Sequence, residues 1–267
     1  IHPVVGENVR THTVITSARL PATGLSVPKP QATALISRAR LKDLLQRKYD
    51  VDAMGVASAA LLGDTVESLK PVFDGEDVFM IKEKGVRFLK YEAEVNTVQR
   101  RVLRPEDHIP GAKSVIVLGL RIPAETVACT ARPPAEAVGP YAFAQYQNAR
   151  QLGKAAWHTA RILRQAGYKA ALTFDLTNTT TVLGTPRGTQ PDGFSNRFAA
   201  VAAGLGRLGK GGFLINPEFG ANLRFVAVVT DAKFECDKPL SDDAKPVLCD
   251  GCSKCVDSCL TCAFKQE

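Results

Sequence analysis

The chain places four of its seven cysteines at Cys249, Cys252, Cys255 and Cys259, in the spacing Cys-x2-Cys-x2-Cys-x3-Cys. Soft thiolate donors packed this densely point to one shared iron–sulfur group, because short turns between ligands wrap the backbone around a cubane. Gly251 suits the tight turn between the first two. Disulfides fit poorly: no basic-then-apolar leader is visible, and the cysteines are bunched. A zinc site on Cys249, Cys252, Cys259 and Cys262 would leave Cys255 idle, with only six residues between the two pairs. Two all-cysteine clusters would need two full sets of four thiolates, and with Cys129 far upstream seven cysteines are too few. The expectation is one four-iron cluster on Cys249, Cys252 and Cys255. Its fourth ligand is open among Cys259, Cys262 and Cys236, with Cys259 the choice, although Leu260 stands where a proline usually follows.

A chain of 267 residues, 45% hydrophobic, can build a sizeable core without cysteine staples. No run of eighteen apolar residues appears, so no membrane span is expected. The formal charge of +7 would fall to roughly +5 with four thiolates around a +2 core. The basic residues are spread along the sequence, which suits an acidic electron partner or an anionic cofactor better than nucleic acid. Cluster thiolates suit a reducing cytoplasm. Export stays open, because the sequence begins at Ile1 and a leader could have been removed.

Three regions are expected. Residues 1–30, with Pro3, Pro21, Pro28 and Pro30, read as an extended arm with a short strand at "THTVIT", which could reach across to a second copy in a homodimer. Residues 31–232 alternate helical and strand-like patterns and form the core; residues 233–267 carry the cysteines. Leu35, Leu41, Leu44 and Leu45 fall at helical spacing, and "AMGVASAAL" reads as a strand and turn. "VFMI", "VRFLKYEAEV", "KSVIVLGL", "GYKAALTFD" and "NLRFVAVVTD" read as strands. The clearest helix runs from about Tyr141 to Ala166, with Tyr146, Ala149, Leu152, Ala156, Ala160 and Leu163 on one face and Gly167 as its stop. His158 within it reads as structural or exposed. The fold class is α/β (α+β), a sandwich with a small cysteine-rich extension.

"AAGLGRLGKGG" contains Gly204-x-Gly206-x-x-Gly209, the spacing of a dinucleotide fingerprint, and Lys210 brings it close to a P-loop. The preceding "NRFAAVAAGLG" is helical rather than extended, and Gly211 stands where a P-loop has its magnesium-binding hydroxyl. A helix stop and flexible turn fit better, with Arg207 and Lys210 free to meet a cofactor's phosphate or acid.

"GAKSVIVLGL", "LGKAAWHTARILRQAGYKA", "NRFAAVAAGLGRLGKGGFLINPEFGANLRFVAVVTD" and the cysteine run follow in an order that resembles epoxyqueuosine reductases and corrinoid-dependent reductive dehalogenases. The resemblance implies a nitroreductase-like core holding cobalamin and an iron–sulfur segment that feeds it electrons. It would put Gly204, Gly206, Arg207, Gly209, Lys210 and Asn216 near the cofactor, and Cys249, Cys252 and Cys255 on the cluster. It suggests Tyr141 or Asp175 as a proton source, and Arg197 suits an anionic substrate or cofactor group. The expected activity is reduction of a small molecule, supplied by a ferredoxin- or flavodoxin-like donor. The alternatives are a non-catalytic electron carrier or corrinoid-reactivating partner, a flavin-dependent reductase, and a structural cluster within a binding module.

Overall fold

Val115–Leu120 is apolar at every position but Gly119, which no strand with one wet face tolerates, so it must be covered on both sides. The computed structural model describes residues 37–87, 90–130, 139–179, 182–185, 188–191, 196–241 and 249–259. The expected arm at 1–30, with its "THTVIT" strand, and Cys262 lie outside these residues. The first part of the chain forms α1 (Arg38–Tyr49), β1 (Ala53–Ser58), α2 (Ala59–Phe73), the hairpin β2 (Asp77–Arg87) and β3 (Lys90–Gln99), and the single turn α3 (Pro105–His108). Next come β4 (Ser114–Arg121), α4 (Ala124–Thr130), α5 (Gly139–Gln165), β5 (Ala170–Thr173), β6 (Val182–Thr185) and β7 (Gly188–Pro191). The last part is α6 (Arg197–Ala202), β8 (Arg207–Leu208), β9 (Leu214–Ile215), β10 (Leu223–Thr230) and the turn α7 (Lys254–Asp257).

β1, β4, β10 and β5 form one antiparallel sheet in the order β1-β4-β10-β5. Ser114 pairs with both Ser58 and Thr230, which sets the register of β1, β4 and β10. Alternate residues then face opposite sides. Met54, Val56, Ile116, Leu118, Val226 and Val228 pack with Leu41 and Leu45 of α1 and Leu152 and Leu163 of α5. Val115, Val117, Phe225, Ala227 and Val229 pack on the other side with Leu62 of α2 and Ala199 and Ala200 of α6. The result is an α/β sandwich of helix, sheet and helix layers.

Three sequence expectations change. "VRFLKYEAEV" is not one strand: it holds the end of β2 and the start of β3, which pair antiparallel. In "AMGVASAAL" the strand holds as β1 but the turn does not: β1 runs straight into α2, whose Ala59, Leu62, Gly63 and Val66 are buried at helical spacing. Small Ala and Gly residues hid that periodicity. In α5, Tyr146 does not share the buried face of Leu152 and Leu163; it is 64% exposed. Each step of three residues lags a helical turn by about 60°, so six residues carry Tyr146 about 120° off Leu152. Helix α5 ends as expected: Gly167 has φ of 85°, and Tyr168 N–H donates to the Leu163 carbonyl at 3.0 Å.

Beyond β10 the chain returns to the free edge of β1. Asp237 N–H donates to Val56 O at 2.7 Å, and Val56 N–H donates to Asp237 Oδ2 at 2.8 Å. Arg38 Nη2 lies 2.7 Å from both oxygens of the same carboxylate.

Truncating fully buried Leu163 leaves a cavity under α5, so Leu163→Ala is expected to cost about 2–5 kcal/mol in urea unfolding. His158 stacks at a tilt against Tyr49, ring centres 5.3 Å apart. Burial first, then the Lys48 and Arg161 charges, hold its pKa below the ordinary 6.5. As pH falls through 6.5 the unfolded chain takes up this proton before the fold does, so stability declines from there down to the folded pKa. Subtracting the pH–stability curve of His158→Gln from that of the wild type is expected to isolate this decline; a flat difference would remove His158 as its source.

Candidate functional site

The glycine-rich stretch follows α6 and closes a hairpin instead of opening a helix. Gly204 has φ of 67° and leaves room for Lys238 O, which an added Cβ would meet at 2.5 Å. At Gly206 an added Cβ would lie 2.5 Å from Ile215 O, so the two arms of the β8–β9 hairpin meet backbone to backbone. The turn is held by Gly209 N–H to Phe213 O and Gly212 N–H to Gly209 O, both 2.9 Å. A dinucleotide or P-loop helix is therefore absent, as the helical "NRFAAVA" foretells.

The tip of this hairpin packs on the cysteine run. Lys210 N–H donates to Cys249 Sγ at 3.2 Å, and Lys210 Nζ lies 3.4 Å from Cys252 O. A Cβ at Gly209 would lie 3.3 Å from Cys249 Sγ, and one at Gly211 would lie 3.3 Å from Cys255 Sγ. The side-chain-free turn thus makes space for two thiols about forty residues later. Cys249, Cys252, Cys255 and Cys259 are half-buried, and none of them is in a disulfide. Cys252 N–H donates to Cys249 O at 3.1 Å, and Gly251 between them has φ of 72°, the tight turn its position calls for. Among the described residues no three His, Cys, Asp or Glu side chains converge in a metal-holding group.

The other cysteines stand elsewhere. Cys236 is packed against the α1–α5 side of the core, its thiol directed at Phe234 O at 3.5 Å. Burial pushes its pKa up, opposing the thiolate form a ligand needs. Cys129 is exposed on α4.

Beside the hairpin lies a cavity of about 540 Å³ with apolar walls of Ile122, Val127, Phe213 and Ala221. Tyr141, Asn222 and Arg224 add its polar groups, and Arg224 Nη2 donates to the Tyr141 hydroxyl. Phe213 joins the two features: it lines this cavity, and with Cys255 it crowds the space above Gly211.

The remaining candidates separate. Arg197, on α6, donates from Nη1 to Gly212 O at 2.9 Å and so braces the hairpin from below. Asn216 is buried and spends both ends of its amide on backbone: Nδ2 on Leu205 O, Oδ1 on the N–H groups of Glu218 and Phe219. Arg207 is half-buried on β8. Asp175 follows β5 and accepts from Thr179 N–H at 3.2 Å; it does not line the cavity with Tyr141. Sequence reasoning missed Phe213 and Arg224, since neither belongs to a motif and only packing joins them to Tyr141.

No family model matches the chain. Over 72 residues it is 39% identical to epoxyqueuosine reductase of Bacillus cereus, a stretch covering 27% of this chain and 18% of that protein. Over 68 residues it is 40% identical to tetrachloroethene reductive dehalogenase of Dehalobacter restrictus, covering 26% and 12%. The structure of epoxyqueuosine reductase from Streptococcus thermophilus aligns over 85% of this chain and 53% of its own, at 14% identity and a TM-score of 0.45. A catabolic reductive dehalogenase aligns over 79% and 23%, at 15% identity and a TM-score of 0.45. The sequence similarity thus spans less than a fifth of either relative's length. Through that stretch the chain is similar to the epoxyqueuosine reductases and reductive dehalogenases.

Proposed function

We propose that the chain is an iron–sulfur redox module. Cys249, Cys252, Cys255 and Cys259 would hold a four-iron cluster, which would supply electrons to a corrinoid bound in the core for reduction of a small molecule. The observation that carries this reading is the glycine turn on the cysteines, with the Lys210 amide on Cys249 Sγ. Cluster sulfur is tuned by such N–H donors, and the side-chain-free cradle leaves volume beside the thiols. The donors are of the type the group needs, although among the described residues no three of them converge in a metal-holding group. The relatives that match are both named reductases.

When bound, the cluster supplies single electrons at low potential and the corrinoid supplies a reducible cobalt. The chain's own residues do the rest. Lys210 places an N–H and an ammonium beside the donors, which favours negative charge there. Phe213 stands between the cysteines and the cavity. Tyr141 holds a proton at its hydroxyl against Arg224, within reach of a group in the cavity. The formal charge of +7 suits an acidic ferredoxin- or flavodoxin-like donor.

Anaerobic reconstitution with metal analysis and a visible spectrum tests this. About four irons per chain are expected, and corrinoid bands should be retained after cobalamin is added and free cofactor removed. Four irons without corrinoid uptake would favour an electron carrier, bound flavin a flavin reductase, and zinc in oxygen-protected protein would overturn the redox assignment. Cys255→Ser is expected to lose most of the iron and Cys236→Ser to keep it. Gly211→Ala, whose new Cβ would crowd Cys255, is expected to lower iron retention while far-ultraviolet circular dichroism is unchanged.

A further inference from the structure

Helix α5 is 27 residues long and contains no Asp or Glu. At 3.6 residues per turn, its exposed side chains fall into one strip about 100° wide and about 33 Å long. Three are aromatic: Phe143 is 65% exposed, Tyr146 64% and Trp157 57%. Four are cationic and exposed: Arg150, Lys154, Arg161 and Arg164. Arg164 lies over the Trp157 ring, 5.3 Å from its centre. Among the described residues Arg150, Lys154 and Arg161 have no carboxylate partner. Lys48, at the end of α1, adds its charge at the strip's margin, as the lowered pKa of His158 registers.

We propose that this strip binds single-stranded nucleic acid. Four cations along the helix from Arg150 to Arg164 can follow a phosphate backbone, and Trp157 among them, with Phe143 and Tyr146 ahead of them, offers faces on which bases stack. A guanidinium already seated on Trp157 is part of such a platform. A bilayer surface fits less well, because no aliphatic side chain lies on the strip; the helix buries Leu152 and Leu163 in the core. An acidic protein would meet the charges but leave three rings without stacking partners. Among the described residues, none of the strip's side chains lines the cavity or touches a cysteine, although Tyr141 at the start of the same helix does line the cavity. Binding here therefore does not rest on the redox reading.

Trp157 is the chain's one tryptophan and sits within the strip, so its fluorescence reports occupancy directly. Titrating the full chain with a fifteen-residue oligo(U) or oligo(dT) is expected to quench Trp157 by stacking. Affinity should fall with salt at a log–log slope of about −2 to −3, as three or four released counterions require. Arg150→Glu/Lys154→Glu/Arg161→Glu is expected to weaken binding of labelled oligonucleotide at least tenfold with an unchanged urea midpoint. The single change Lys154→Ala should shallow the salt slope by about 0.7. Unchanged binding in both variants would overturn the proposal. So would equal competition by polyglutamate, which marks an acidic-protein site, or a Trp157 blue shift on phosphatidylserine vesicles without oligonucleotide quenching, which marks a membrane surface.

Discussion

Asp237 ties the segment after β10 to the edge of β1 and to α1. Its main-chain N–H and its carboxylate occupy the amide and carbonyl of Val56 on the open edge of β1, while Arg38 grips both carboxylate oxygens. An edge strand would otherwise present unpaired groups. The ion pair is about 30% exposed and so adds only about 1 kcal/mol or less by itself. Its importance is positional: it stops the chain after β10 beside Gly204, from which the hairpin that meets the cysteines departs.

Close backbone approach is the second constraint. Gly204 and Gly206 bring the loop against the linker and against β9 at distances no Cβ would allow, and Gly209 and Gly211 repeat this against two thiols. One property, the missing side chain, serves packing at one end of the loop and sulfur at the other. Arg197 on Gly212 O and Asn216 on Leu205 O hold the loop from its two flanks, so these polar residues act on geometry. Phe213 then extends the same loop into the wall of the cavity shared by Tyr141 and Arg224.

Much of the fold was readable because burial on both faces leaves a strong local signature. Val115–Leu120 and the apolar Phe225–Val229 announce central strands, and Gly167 announces the end of α5. Helix α2 was not readable, since Ala59, Ala60 and Gly63 carry too little side chain to display a period. Tyr146 was misassigned because three-residue steps drift around a helix. The basic residues of α5 look dispersed in the sequence and become one strip only when wound at 3.6 residues per turn.

By itself the sequence supplied the cysteines, separated by two, two and three residues, on which the proposed donor chemistry rests. It also determined the periods that make the sandwich. Only the tertiary structure decided what the glycine loop faces, which cysteine is withdrawn into the core, and which side chains line the cavity with Tyr141. Those contacts join residues dozens of positions apart, and their partners are chosen by strand register and helix packing, which no local spacing encodes.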